Sequence, residues 1–488
     1  MNTDTFPRQV TRSALIEALP GNDESSSFTT RDPAFTYVPA SHAKALDPDN
    51  TIVEGIRGAG KSHWWAVLNS KPHRNYLASV FPEARIGTNL KISHGFGTGL
   101  TKVDAPSKDT LDLLTKKYAC RDIWKAVIAT HLDFPSPFPS REGKWAERVK
   151  WTSENPEDYD ELLENADCAL LKAKRLHLVL FDALDRLAND WVSIRPLAKA
   201  LFQLALDIRS CRAIRLKLFV RPDMIEDKEI LAFPDSSKLL ARKVTLTWRS
   251  VDLYALLFQC LGNAQNSGEE IRIHFKKHYG LSWKEDKTTN TWILPSILRI
   301  DEVTQRNAFH AIAGPAMGSG NKRGYPYTWL PNHLLDGREQ VSPRSFSAAL
   351  RRAAAGDLPH GWEYPLHYKS IQTGVQAASQ IRVAEVIEDY PWVKSLIEPL
   401  SSISVPCEVD QIMELWSGSN VIKTLKTASI QGDVKLPPPR LGEGGMGVLI
   451  DLEDLGIVQQ LSDGRIQMPD VYRIAFGLGR RGGVKPLR

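Results

Sequence analysis

Cysteines are few in this sequence, and their spacing argues against two kinds of site. Five are scattered over 488 residues with no CxxC or CxxH spacing: Cys120, Cys168, Cys211, Cys260 and Cys407. Zinc sites and disulfide frameworks both need closely paired or regularly spaced cysteines. Neither is predicted, and free cysteines fit a reducing cytoplasm.

Long apolar runs and a strong excess of one charge are also missing. No stretch approaches the ~20 apolar residues of a membrane span, and the N-terminus MNTDTFPRQV lacks the basic-then-apolar plan of a signal peptide. The 62 basic and 57 acidic residues leave a formal net charge of +5, short of the signature of a dedicated nucleic-acid binder. We therefore expect a cytoplasmic protein without a membrane contact.

The pattern that is present alternates short β-rich runs with longer helical ones between about residues 35 and 249. The strand candidates are TIVEGI, RLHLVLFD, IRLKLFV and KVTLTW. In SIRPLAKALFQLALDIRS, the apolar residues recur at helical spacing. Such alternation predicts an α/β fold with a mostly parallel sheet covered by helices.

The run VEGIRGAGKSHWW, residues 53–65, contains the most specific motif of the chain. Gly55-x-x-x-x-Gly60-Lys61-Ser62 matches GxxxxGK[ST], which chance produces in only about 2% of chains this long. A strand precedes the motif, and KSHWWAVLN lacks the Pro and Gly that would stop a helix. Backbone N–H groups of such a loop surround phosphate oxygens at the positive end of the helix dipole. The alternative is a glycine turn with a surface lysine.

The motif predicts ATP and Mg²⁺ as cofactors, with separate roles for two side chains. Lys61 would reach the β- and γ-phosphates, and Ser62 would bind Mg²⁺. The predicted nucleotide-binding residues of the loop are Gly55, Arg57, Gly58, Ala59, Gly60, Lys61, Ser62 and His63.

A second acidic strand follows in LHLVLFDALDRL. This apolar run ends in Asp182, which is typical of a buried parallel strand that presents a carboxylate at its carboxyl end. We expect Asp182 to face the Mg²⁺; the alternative is an aspartate that caps the next helix. Asp185 has two interpretations: a base or water-positioning group, or a partner of Arg186 or Arg209 on a solvated face.

Missing motifs argue against other nucleotide-binding classes. A GTPase should carry NKxD, but the only NK is in NKRG at Asn321, and an ABC ATPase should carry LSGGQ. A small-molecule kinase of this length would be unusual, and no acceptor-binding lid is evident. The AAA+ and STAND ATPases remain.

Four segments resemble these ATPases. GIRGAGKS resembles the GxRGxGK[ST] loop of origin-recognition ATPases, STAND ATPases and related bacterial P-loop proteins, many from anti-phage or conflict systems. LVLFDALDR is similar to their hhhhD-x-h-D-R strand, and LKLFVRPD places Arg221 at the sensor-1 position. VSPRSFSAALRRAA places Arg344 at a sensor-2 position, and LEDLGIVQQLSDGRIQMPDVYR resembles a winged helix that turns at Asp463-Gly464.

The resemblance implies an arrangement of domains. We expect a P-loop NTPase core with a parallel sheet, a helical lid and a C-terminal winged-helix domain. The expected ranges are an N-terminal extension at 1–34, the core at 35–249 with an insertion near 92–171, the lid at 250–356, a helical linker region at 357–435, and the winged helix with a basic tail at 436–488.

The resemblance also implies roles for individual residues. Arg221 and Arg344 would sense the γ-phosphate, because a guanidinium neutralises the charge that develops during phosphoryl transfer; the alternatives are a surface ion pair and an ordinary helix start. Tyr37 and Val38 would line an adenine pocket, unless they only pack in the core. Ala183 stands where the family keeps its water-activating acid, so we expect slow turnover, with Asp185 in that role.

Two basic regions have open interpretations. GSGNKRGYPYTW mixes cations with aromatic residues, which suits base stacking, docking of a partner loop, or plain loop packing. The tail YRIAFGLGRRGGVKPLR has basic residues and no acidic ones after Arg473, which suits a phosphate backbone, an acidic partner, or solvent.

The resulting functional hypothesis is an ATP-gated assembly switch that acts as a homo-oligomer or with an effector protein. Its setting in a bacterial conflict or anti-phage defence system follows from the resemblance alone. The main alternative is a DNA-binding initiator or loader-like ATPase whose winged helix reads the major groove. A third is a scaffold that binds ATP without turnover.

Overall fold

The computed structural model describes residues 5–21, 32–87, 89–318, 320–480 and 484–486. These residues form two compact units. The sheet unit is Ala40–Leu246, and the helical unit combines the N-terminal residues up to Pro39 with the chain from Thr247 onward. We describe each unit by itself.

The helices and strands of the chain have the following bounds. The strands are β1 Ile52–Glu54, β2 Leu90–Phe96, β3 Leu176–Phe181, β4 Ile214–Val220, β5 Val244–Thr245, β6 Lys284–Asp286, β7 Thr291–Ile293, β8 Gln459–Gln460 and β9 Ile466–Gln467. The helices are α1 Arg8–Ala18, α2 Ala40–Leu46, α3 Lys61–Asn69, α4 Lys71–Val80, α5 Lys108–Thr115, α6 Cys120–His131, α7 Trp145–Glu154, α8 Pro156–Lys172, α9 Trp191–Ile208, α10 Pro222–Glu226, α11 Ser236–Leu240, α12 Ser250–Gly262, α13 Gly268–Tyr279, α14 Ile297–Ile300, α15 Glu302–Ala313, α16 Pro326–Asn332, α17 Pro343–Ala355, α18 Tyr368–Asp389, α19 Trp392–Ile397, α20 Val409–Gly418, α21 Val421–Gln431, α22 Gly444–Asp454 and α23 Asp470–Phe476.

The sheet unit is built on a five-stranded parallel sheet in the order β2-β3-β4-β1-β5. Strands β3 and β4 are buried along almost their whole length, as expected of parallel strands covered on both faces. The register pairs Glu54 with Val220 and Phe181 with Leu218. The carboxyl ends of β1, β3 and β4 therefore meet at one edge, and the predicted α/β class with a parallel sheet is confirmed.

The strand predicted on KVTLTW is shorter than expected. Only Val244 and Thr245 have strand structure, and they pair with β1 on one side. Because β5 is the last strand of the sheet, its other side has no neighbour to extend the ladder. Helices α5, α6, α7 and α8 occupy the interval between β2 and β3.

Two buried charges hold the strands that lead to this edge. The Asp167 carboxylate on α8 accepts hydrogen bonds from three consecutive backbone N–H groups, residues 212–214, at 2.7–3.2 Å. The ammonium of Lys217 on β4 donates to three carbonyls that precede β1: Ala45 at 2.7 Å, Asp47 at 2.9 Å and Asn50 at 2.6 Å. Burial lowers the pKa of Lys217 to about 7. These contacts tie the starts of β4 and β1 to their surroundings, since a buried polar group is costly unless it is bonded.

The C-terminal part of the helical unit forms the predicted winged helix. Helix α22 directly precedes the hairpin β8–β9, and Cys407 forms a further bridge with Ile466 of β9. We count α20 and α21 with this domain, although they lie in the range 357–435 expected to be a linker region. The hairpin turns at Asp463-Gly464, where Gly464 has φ 88°, a conformation that favours glycine. Within the ranges described above, no helix is long and apolar enough to cross a membrane.

Candidate functional site

The loop between β1 and α3 depends on its glycines. Gly58 has φ 78° and Gly60 has φ 106°, both in the left-handed region that favours glycine. At Gly55 an added Cβ would lie 3.2 Å from Cβ of Ala59 and 3.3 Å from Cβ of Leu246. The backbone can therefore curl at the amino end of α3, where helix N–H groups have no partner within the helix.

Lys61 lies inside this curl. Its Nζ donates to the carbonyl oxygens of Gly55 at 2.6 Å and Ile56 at 2.9 Å. Burial and, to a smaller extent, the nearby Arg221 lower the pKa of Lys61 to about 8, while Asp182 acts in the opposite direction. The lysine is therefore a partly buried cation, which a phosphate would stabilise.

Ser62 and Asp182 meet at the same edge of the sheet. Burial raises the pKa of Asp182, and hydrogen bonds from the Ser62 hydroxyl and the Ala183 backbone N–H oppose this shift. The Asp182 backbone N–H donates to the Phe96 carbonyl at 2.9 Å, which fixes the end of β3 beside β2. A hydroxyl and a carboxylate side by side are oxygen ligands of the kind Mg²⁺ uses, with phosphates and waters completing its coordination.

In the part of the chain that the structure describes, no cluster of three or more His, Cys, Asp and Glu side chains is arranged to hold a metal ion.

Asp185 forms an ion pair with Arg221. The Arg221 Nη2 and Asp185 Oδ2 are 2.9 Å apart, and the side chains are only 13% and 11% exposed. Ala183 takes a left-handed conformation with φ 56°, which is unusual for a residue with a Cβ. This turn leads into a 3₁₀ segment, Leu184–Arg186, that places Asp185 at the strand edge. The other partner considered from sequence, Arg209, donates instead to the carbonyl of Lys238 at 2.8 Å.

Asp223 is a neighbour of the site that sequence reasoning missed. Its carboxylate raises the pKa of Lys61, against the effect of burial, and it lies in the first turn of α10, two residues after Arg221. The signal was present in the segment LKLFVRPD, since a polar residue just after a buried parallel strand lies at the edge where ligands bind.

The remaining predicted residues of the loop have different environments. Ala59 is buried and Arg57 is half-buried. His63 is exposed on the first turn of α3, with its ring 4.9 Å from that of Trp64. Trp64 is buried and donates from its indole nitrogen to Nδ1 of His42 at 3.2 Å.

Three predicted site residues belong to the helical unit. Tyr37 and Val38 are 7% and 3% exposed, and the Tyr37 hydroxyl donates to Asp252 at 3.5 Å. Burial raises the pKa of Tyr37 to about 12. Arg344 is ion-paired with Glu385. Their assignments to an adenine pocket and a sensor remain predictions.

The two basic regions use several of their residues internally. Tyr327 is buried and stacks on Tyr254 with ring centroids 4.1 Å apart, while Tyr325 stays 45% exposed. In the tail, Arg473 is fully buried and its Nε donates to Asp470 at 2.7 Å, and Arg480 pairs with the same carboxylate at 3.3 Å. The remaining tail arginines, Arg481 and Arg488, lie outside the described residues.

The glycine loop between β1 and α3, together with Asp182 at the end of β3, defines a P-loop NTPase fold. No protein-family model matches the chain, and no curated protein is similar to it in sequence. Among solved structures, the ORC2 protein of Aeropyrum pernix in its ADPNP–ADP complexes is 13% identical, with 91% of this chain and 94% of that chain covered and a TM-score of 0.39. The ADP form of the same protein is 13% identical, with 90% and 94% covered and a TM-score of 0.32.

Proposed function

We propose that this protein binds MgATP at the loop 55–62, hydrolyses it slowly, and assembles with copies of itself or with an effector in the ATP-bound state. The observation that carries the proposal is the meeting of Lys61, Ser62 and Asp182 at one edge of the sheet. These three groups have the chemistry that phosphates and Mg²⁺ require. The assignment to an AAA+ or STAND type rests on the motif resemblance.

Binding would exchange weak internal contacts of the loop for contacts to phosphate. The Lys61 ammonium now donates to two carbonyls of its own loop, and a phosphate oxygen offers a charged acceptor instead. Ser62 and Asp182 would hold the Mg²⁺, which neutralises phosphate charge when bound. Backbone N–H groups at the start of α3 would bind the remaining phosphate oxygens.

The ion pair between Asp185 and Arg221 suggests how turnover is limited. A γ-phosphate would compete with Asp185 for the guanidinium, because both are anions that suit its planar donors. Once released, Asp185 would be available to accept a proton from the attacking water, which Ala183 cannot do. Hydrolysis would then proceed only when Arg221 has exchanged its partner.

The low pKa of Lys61 predicts that ATP affinity falls at alkaline pH. With a pKa of about 8, about three-quarters of the lysines are neutral at pH 8.5. Bound phosphates favour the charged amine, so binding must take up protons above pH 8, and affinity should fall by up to about tenfold per pH unit. Calorimetry at pH 8.5 in two buffers of different ionisation enthalpy should reveal an uptake of about 0.75 proton.

The matched control for this measurement is Lys61→Arg, because a guanidinium keeps its charge throughout this range. If the variant binds ATP, its binding should show little proton uptake. Wild-type binding without proton uptake and with equal affinity at pH 7 and pH 9.5 would contradict the lowered pKa of Lys61 in the unliganded protein.

ATP-dependent assembly is tested by light scattering with a slowly hydrolysed ATP analogue. The analogue should raise the mass from one chain of 54.6 kDa to at least two. Lys61→Ala should keep the mass of a single chain under both conditions. An unchanged wild-type mass would contradict self-assembly and leave an effector protein as the partner to be sought.

The second candidate is a DNA-binding initiator, whose predicted contacts with DNA are the basic tail and the winged helix. Arg473 is buried and Arg480 is ion-paired, so neither is available to neutralise a phosphate backbone without rearrangement. The exposed lysines of the winged helix, Lys423 and Lys426, lie on α21. The defence setting stays a prediction from the motif resemblance.

A further inference from the structure

Two helices of the winged helix, α20 and α22, combine acidic with apolar residues. Their sequences, VDQIMELWSG and GGMGVLIDLED, contain no lysine or arginine. A helix that enters a DNA groove lies between two phosphate backbones, and proteins meet those phosphates largely with lysine and arginine. Helices α20 and α22 carry acidic residues in place of these cations. Helix α22 is therefore poorly suited to a DNA groove, even though it leads directly into the hairpin of the winged helix.

An apolar strip is exposed on these helices. Met446 is 52% exposed and Ile450 is 40% exposed, and they lie one helical turn apart on α22. Met413 of α20 is partly exposed and packs against the first turn of α22, since a Cβ added to Gly445, the neighbour of Met446 in the chain, would be 2.8 Å from its Sδ. We call Met413, Met446 and Ile450 the apolar strip.

Exposed carboxylates flank the apolar strip. Asp410 lies one turn before Met413 on α20, and Glu443 lies one turn before Met446 at the start of α22. The acids Asp451 and Asp454 do not contribute, because both are ion-paired with Arg440. The surface is therefore an apolar centre with negative charge at its edge.

We propose that this surface docks a basic amphipathic helix of a partner protein. The apolar face of such a helix would cover the strip, and its lysines or arginines would meet Asp410 and Glu443. Flexible methionine side chains suit a surface that adapts to the incoming residues. The charge at the edge selects a basic partner, and the docking does not depend on bound nucleotide.

The test uses the full-length protein and a fluorescein-labelled peptide of about 18 leucines and lysines, with leucine at helical spacing. Fluorescence anisotropy should show saturable binding. Ile450→Lys should weaken it at least about tenfold, because the substitution places a cation in the strip facing a basic helix. The same substitution at Ile430, which is 81% exposed on α21, should change the affinity by less than about twofold.

A second variant keeps the test valid if Ile450→Lys disturbs the fold. Met446→Gln keeps the charge and length of the side chain and should still weaken binding at least about threefold. Circular dichroism should be unchanged for both variants because the positions are exposed. Lys61→Ala should bind the peptide like the wild type, which separates this proposal from that of ATP binding.

Several results would overturn the proposal. They are absence of saturable binding, equal binding of a scrambled peptide of the same composition, and equal binding by the wild type and the Ile450→Lys variant. Duplex DNA that binds the wild type, and binds Ile450→Lys more tightly, would assign the surface to nucleic acid. A wild-type oligomer that Ile450→Lys dissociates in the absence of peptide would assign it to a second copy of the chain.

Discussion

Replacing Lys61 with alanine is expected to weaken MgATP binding at least a hundredfold, or about 2.7 kcal/mol. The substitution removes the ammonium of Lys61, whose charge is made costly by burial and would be compensated by a phosphate. Isothermal titration calorimetry measures the affinity directly. The matched control is Lys71→Ala, which removes an exposed lysine at the start of α4 and should leave the affinity within about twofold.

An unchanged Lys61→Ala variant would contradict the assignment of the nucleotide site. If Lys61→Ala and the wild type bind ATP with the same affinity and hydrolyse it at the same rate, the loop 55–62 is not the nucleotide site. The hydrogen bonds of Lys61 to Gly55 and Ile56 would then serve only to hold the loop.

Replacing Asp185 with asparagine is expected to lower ATP hydrolysis at least tenfold, about 1.4 kcal/mol of barrier. The amide cannot accept the proton of the attacking water, whereas the carboxylate can. Affinity for MgATP should not fall by more than about threefold, below ~1 kcal/mol, because Asp185 does not bind the phosphates and its loss leaves Arg221 available to them. Phosphate release and calorimetry on the same preparation separate the two effects.

Asp207→Asn is the control for this experiment, since it removes a carboxylate from an exposed ion pair with Arg121 on the same unit. It should hydrolyse ATP at the wild-type rate. Parental turnover in Asp185→Asn would instead mean that Asp185 only anchors Arg221, and that another residue, or one from another subunit, activates the water.

The parts of the site that follow from short patterns could be predicted from the sequence. The glycine loop, Lys61 and Ser62 lie within one motif, and Asp182 ends an apolar run that only a buried strand explains. The parallel sheet follows from the alternation of strands and helices. In each case the physical constraint acts between residues close together in the chain.

The ion pair of Asp185 with Arg221 needs the order of the strands. These residues are 36 positions apart, and they meet because β3 and β4 are neighbours in register, with Phe181 opposite Leu218. From the sequence alone, Arg186 and Arg209 are the partners considered for Asp185. A local sequence pattern does not show which of several arginines pairs with Asp185.

The apolar strip could not be predicted from the sequence for a similar reason. Met413 and Met446 belong to helices that are separated by α21, and only their packing brings them to one surface. In the basic tail, the sequence suggests an available residue that the structure shows to be buried. Arg473 looks available in the sequence, but burial and a bond to Asp470 place it in the core of the helical unit.

Titration of the wild-type protein with MgATP by calorimetry is the most direct test of the central claim. We expect one saturable site per chain that weakens when Mg²⁺ is chelated, because Ser62 and Asp182 hold the metal together with the phosphates. Absence of saturable binding at nucleotide concentrations up to about 1 mM, an affinity limit of about −4 kcal/mol, would contradict the account.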